Sequence, residues 1–326
     1  MSRSLGILIL IILQGLFIST AFGKSLTFCQ VLLMSVPLSC GVTGCVATAT
    51  QTDPMAVIRE AQEVGPRSFA LLDSKLEDLG LNDNQGVEII HLPQIHGFHA
   101  SQIDQNLNDA VERHGYQMVD QILRSQFKVL QFLQLNPDSP IFVEGFGVGI
   151  IKSESFNFSD GSVAKYDLEQ LKQMDDEASA NGFQGNLTER LKKAFETGVP
   201  NSFEQLTDEQ KFFLYRVNAS VAAYLLGIVP RLYPAENLTT RIAMDLWNSS
   251  IRQRLENNEA TAYLALAKDP IYQTLIHAGR ETDAIINVLL FNKQTGNKKP
   301  VLLIFGGGHN FKDYTRGPLK ISRSSG

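Results

Sequence analysis

The residues best suited to chemistry stand at the ends of three short β-rich runs. Val301-Leu302-Leu303-Ile304-Phe305 leads into Gly306-Gly307-Gly308-His309. Gly86-Val87-Glu88-Ile89-Ile90-His91-Leu92 leads into Pro93-Gln94-Ile95-His96-Gly97-Phe98-His99, and Pro140-Ile141-Phe142-Val143 ends in Glu144-Gly145. Three such endings in a chain with only six histidines favour convergence on one pocket. Two neutral imidazoles and a carboxylate, from His96, Glu144 and His309, form a donor set for Zn, Mn, Fe or Co with a further position open for water. An ion so held would bring the pKa of its water toward neutrality, ready to attack an ester or peptide carbonyl. Without metal, a histidine oriented by Glu144 could act as general base on water. Arg280 could stabilise an oxyanion or clamp a substrate carboxylate. A glycine turn carrying an exposed histidine is the competing reading of His309, and the motif by itself weighs the two evenly.

These groups meet only if the runs are strands of one sheet. The unbroken apolar run 301–305 reads as a strand buried on both faces, the kind found in parallel sheets. Glycines after it let the chain turn with no Cβ in the way, and His309 falls beyond the strand's carboxyl end, where open α/β sheets bind ligands. A helix is predicted from Ser101, with Asp104 in capping-box position. Its apolar positions, from Leu107 and Ala110 through Val119, Ile122, Phe127 and Leu130 to Leu133, recur at three- and four-residue steps. Gly115 divides it, and Asn136-Pro137-Asp138 ends it before the strand at Ile141. A strand–helix–strand unit implies parallel strands. Further helices are predicted over 164–179, 186–197, 207–229, 239–256 and 259–267, the third of them buried. Gly145-Phe146-Gly147-Val148-Gly149 lacks the spacing and the following helix of a dinucleotide loop. Leu232 to Asn237 reads as a short edge strand ending in an acid. Arg280-Glu281 opens a last helix that runs toward the 301–305 strand. The fold class is therefore α/β: a central, mostly parallel sheet flanked by helices, with a helical insertion in the middle of the chain.

A net charge of -5 and a pI near 5.7 give no basic footprint for nucleic acid. Cys29, Cys40 and Cys45 are the only cysteines, which excludes a thiolate nucleophile, a thiolate metal site or a disulfide in the body of the chain. Residues 1–45 read as an export segment: Arg3 precedes an apolar stretch to Phe22, with small residues at Ala21 and Gly23. A second apolar run ends at Val42-Thr43-Gly44-Cys45, which looks like a lipobox, and residues 5–22 are just long enough for an uncleaved anchor. The expected product is exported, periplasmic or membrane-anchored, through the anchor or through lipid on Cys45. The chain then divides into this leader, a linker with N-terminal helices over 46–85, and one α/β domain over 86–326.

The ordered set of strand endings resembles a superfamily that contains the TraB and GumN proteins, the Tiki proteases, the ChaN-type haem-uptake lipoproteins and the erythromycin esterases. Their pattern is a first strand ending in Gly-acid/Thr-x-His, a strand ending in Glu, an Arg-acid pair opening a late helix, and a final strand ending in Gly-x-x-His. The counterparts are Pro93-Gln94-Ile95-His96, Glu144, Arg280-Glu281 and Gly306-Gly307-Gly308-His309, across roughly 86–315. Pro93 and Gln94 depart from the pattern: Gln94 stands where the esterases carry an acid thought to take part in hydrolysis. The resemblance implies a hydrolase acting on a small-molecule or peptide substrate, metal-dependent in the Tiki branch. It also implies two alternatives. One is haem or iron binding of the ChaN type, with His91, His96 or His99 as axial ligand. The other is a non-catalytic regulatory member, which the missing acid at Gln94 favours.

Overall fold

The computed structural model describes residues 54–64, 68–81, 86–95, 106–144, 185–255, 259–315 and 319–324, all within the unit Thr48–Gly326. The leader at 1–45, the helix expected over 164–179, the Ser101 start, His96 and His99 lie outside the described residues.

Five strands form the sheet: β1 (Glu88–Gln94), β2 (Ile141–Val143), β3 (Tyr233–Pro234), β4 (Val301–Gly306) and β5 (Lys320–Arg323). Their order across it is β3-β2-β4-β1-β5, and every pairing is parallel. The all-apolar run therefore becomes the central strand, with Val301 to Phe305 each 0% exposed. Burying a side chain of that size contributes roughly 1.5–3 kcal/mol, so β4 is the mechanical centre of the fold. β1 and β2 bracket β4 and do not pair with each other. Pro93 fits within β1 because β5 pairs only with Glu88 to His91; past that point the outer edge needs no N–H.

In chain order the helices are α1 (Pro54–Val64), α2 (Ser68–Asp78), α3 (Leu107–His114), α4 (Tyr116–Leu135), α5 (Leu187–Ala194), α6 (Asp208–Val217), α7 (Ala219–Leu225), α8 (Leu238–Arg254), α9 (Glu259–Leu266), α10 (Pro270–Thr274) and α11 (Arg280–Thr295). Gly115 does divide the long amphipathic stretch, at φ 80°, and Asn106 caps α3 by accepting from the Asp109 amide. The single helix expected over 207–229 is instead two, because Asn218 adopts φ 62° between α6 and α7. The buried Gln126 of α4 meets that break, accepting from the Ala219 amide at 2.7 Å. Both pieces are buried, as expected of the whole.

Register assigns the two faces of the sheet. Phe142, Leu303 and His91 align across three strands, and Phe142 meets Phe291 of α11 edge-on at 5.6 Å. Leu92 and Gln94 project to the other face, where Gln94 meets Gln126 of α4. Leu72 and Leu76 of α2 join the same core as the strands. Among the described residues no helix is long and apolar enough to cross a membrane.

Candidate functional site

A parallel sheet puts all its carboxyl ends on one rim, and three of the five strands end there in a residue with chemistry. Glu144 follows β2, its amide donating to the Ile304 carbonyl at 2.9 Å. Its Oε2 accepts from the Gly306 amide, and its Oε1 accepts from Arg280 Nη2 at 2.6 Å. Gly306 is glycine for space: a Cβ there would stand 3.1 Å from Glu144 Oε2 and 3.5 Å from the His309 ring. None of the three glycines at 306–308 has positive φ, so close approach rather than an unusual turn explains Gly306.

Glu236 follows β3 with its side chain 1% exposed, and accepts from Arg280 Nε at 2.7 Å. One guanidinium thus spans two carboxylates, a charge-assisted pairing that fixes all three groups. Burial pushes Glu236 above the usual carboxylate range, the nearby Arg280 charge opposing it and Glu144 adding to it. For Arg280, burial disfavours the cation, but Glu236 and Glu144 outweigh it and hold the guanidinium above its ordinary value. The Arg280 guanidinium carbon also lies 5.4 Å from the centre of the Phe305 ring.

The second half of the site is a histidine held by a carboxylate. Glu281 Oε1 meets His309 Nδ1 at 3.0 Å and accepts from the Asn310 amide at 3.1 Å. Burial would raise Glu281, yet the hydrogen bond and charge from His309, with the Asn310 amide, bring it below the usual value. A carboxylate at Nδ1 places the neutral ring's proton there and leaves Nε2 with its lone pair. Nε2 faces Glu144 Oε1 across 3.8 Å, beyond direct hydrogen-bond range and suited to a bridging group.

His277 completes the cluster. It lies in a π-helical turn, Leu275–Gly279, inserted between α10 and α11, and such turns often mark functional sites. Its ring stands 5.4 Å from that of His309. Burial lowers its pKa, the His309 neighbour adds to that, and Glu281 opposes it. One donor atom each from His277, Glu281 and His309 lie within 4.8 Å of one another. Two nitrogen or oxygen ligands of one ion are separated by at most twice a bond of about 2.0–2.2 Å, so donors as far apart as 4.8 Å would have to draw slightly closer to share an ion. A carboxylate and two imidazoles are the donor types that Zn and similar ions take.

Of the residues singled out from sequence, Glu144, Arg280 and His309 come together here, and Glu236, read as the acid ending an edge strand, joins them. His91 sits elsewhere: 2% exposed, its ring edge-on to Phe311 at 4.9 Å, hydrogen-bonded to the Phe305 backbone and driven by burial to a pKa of about 4. Gln94 is 2% exposed and points to α4. Sequence reasoning missed His277 and the role of Glu281 as the partner of His309. Their spacing of four residues, which places side chains on one helical face, was the available signal. No protein-family model, curated protein or solved structure matches this chain.

Proposed function

We propose that this chain is an exported hydrolase of ester or peptide bonds whose general base is His309. The observation that carries this reading is the 3.0 Å pairing of His309 Nδ1 with Glu281, which leaves Nε2 turned toward Glu144 Oε1 at 3.8 Å. In the reaction, Nε2 takes a proton from water as the water oxygen bonds to the carbonyl carbon. Glu281 stabilises the resulting imidazolium. The bond to the leaving group then breaks, and the imidazolium proton passes to the departing oxygen or nitrogen. Arg280, held by Glu144 and Glu236, sets positive charge beside the developing oxyanion. The order of strand endings that resembles the TraB, Tiki and erythromycin-esterase superfamily supports the same reading, as does the lipobox-like Cys45 for export.

The His277, Glu281 and His309 grouping favours a metal-dependent variant of it. A divalent ion would be held by those three residues and would supply Lewis acidity toward the carbonyl, with Glu144, 3.8 Å from His309 Nε2, as a carboxylate available to accept a proton. Activity of the full chain against a panel of acyl esters and peptides, with metal content and absorption spectrum recorded on the same sample, tests both. His309→Ala and Glu281→Gln should each lower turnover about 10²–10⁴-fold with the fold intact. Loss of activity on chelation, restored by Zn or Mn, selects the metal-dependent form. Wild-type turnover that survives His309→Ala rules out the proposal, and a Soret band lost with one histidine substitution replaces it with haem binding.

A further inference from the structure

A cavity of about 1150 Å³ opens beside the candidate site, between the end of β1, one face of α4 and the glycine turn. Ligand cavities are commonly about 300–1,000 Å³, so a lone phosphate or a metal ion would leave most of this one empty. Leu92, Ile95, Met118 and Phe132 form much of its wall. Ile95 and Met118 are 43% and 40% exposed there, large apolar side chains kept in contact with solvent at the cavity's border.

The charge on the wall is of one sign. Arg124, Lys128, Lys312 and Arg323 line it, and none of the described lining residues is an aspartate or glutamate. This contrasts with the chain as a whole, which has 34 acids to 29 lysines and arginines. Arg124 is already occupied by Asp120 at 2.9 Å and Glu204 at 3.5 Å. Lys128 and Lys312, both exposed, make no ion pair among the described residues, and Arg323 donates only to the Gly307 carbonyl at 3.3 Å among them. An apolar wall with an unneutralised cationic side is complementary to one class of ligand.

We infer that this groove binds an anionic amphiphile, an alkyl chain ending in a carboxylate. The alkyl chain lies along α4 and the end of β1, and the carboxylate is taken by Lys128, Lys312 and Arg323. This assignment concerns binding alone and holds whether or not His309 supports hydrolysis. The glycine turn is a shared wall: Gly306 borders both the groove and the Glu144–His309 pair.

Photolabelling of the full chain with a diazirine-bearing twelve-carbon fatty acid tests the inference without requiring turnover. Label should map to α4 or to Leu92–Ile95, and unlabelled dodecanoate should displace it at least tenfold more effectively than dodecan-1-ol. Lys128→Glu with Lys312→Glu, both at exposed positions where folding tolerates change, should weaken labelling about tenfold. Equal displacement by the alcohol, label confined to other segments, or full labelling of the double variant overturns it. His309→Ala should label as the wild type does, so a failed hydrolase and a failed groove give different results.

Discussion

Helix α11 carries two buried polar clusters within its first turns, and they behave differently. Near its start, Arg280 and Glu281 engage Glu144, Glu236 and His309. Slightly further on, Asp283 accepts from Lys75 Nζ of α2 at 2.7 Å and from Asn237 Nδ2 at 3.1 Å, while Asn287 donates to the Ala235 carbonyl at 3.0 Å and to Asn237 Oδ1 at 3.2 Å. The second cluster ties the N-terminal helices, the end of β3 and α11 into one frame, with Asp283 fully buried. The first contains imidazole rings, one with a nitrogen 3.8 Å from a carboxylate oxygen at the strand tips. Burial of charge is common to both and does not separate a site from a strut. What separates them is the imidazole: the first cluster sets two rings and a carboxylate with donor atoms within 4.8 Å of one another, and the second is built from carboxylate, amide and ammonium groups alone.

The largest effect is expected of Arg280→Met. It strands Glu144 and Glu236 in the interior, and loss of one member of a buried ionic group costs about 3–5 kcal/mol. Urea unfolding should show the drop; an unchanged midpoint would mean that the guanidinium is not what holds the two carboxylates. His91 gives the next largest effect and a definite sign. Its pKa is about 4 in the folded chain against 6.5 unfolded. Above pH 6.5 the ring is neutral in both states and contributes no pH dependence. Between 6.5 and 4 the unfolded chain takes the proton and the folded one does not, so stability falls as pH falls, by about 3 kcal/mol at most. His91→Leu should flatten the profile of unfolding free energy across that window.

Lys75→Met should cost about 2 kcal/mol, less than a fully enclosed pair because the lysine side chain is 20% exposed. In the folded fraction, turnover and metal content should match the wild type; a change in either would make the frame part of the site. Smallest is Gly306→Ala, whose Cβ would stand 3.1 Å from Glu144 Oε2 and should cost about 1 kcal/mol through local displacement. The informative readout is activity, expected to fall further than stability because Glu144 must move while the His309–Glu281 pair stays.

Much of this arrangement was legible in the sequence. Strand β4 is readable because a residue buried on both faces must be apolar at every position, and the residues just past β2 and β4 are readable because strand ends are short and punctuated. Glu144 and His309 are read that way, and Arg280 from the Arg-acid pair at the start of the last helix. His277 is not readable in the same way, because its segment follows no predicted strand, and Gly279 beside it reads as a helix boundary although the backbone there stays helical through a π-turn. The split at Asn218 was hidden for a related reason: the apolar residues on both sides continue, and only the backbone of one asparagine changes. The carboxylate that orients His309 is ambiguous in the sequence because a glutamate in the first turn of a helix also suits the helix dipole. Only the fold separates their roles: Arg280 turns to the carboxylates after β2 and β3, and Glu281 turns to the histidine after β4.

The place of β4 in the sheet has a consequence during synthesis. Its two neighbours precede it by more than 150 residues in the chain, so a nascent polypeptide released as far as α11 holds β1 and β2 with unpaired inner edges. Such edges invite pairing with other chains. The last tenth of the sequence therefore closes the sheet and, in the same event, delivers the histidine that the rim is built around.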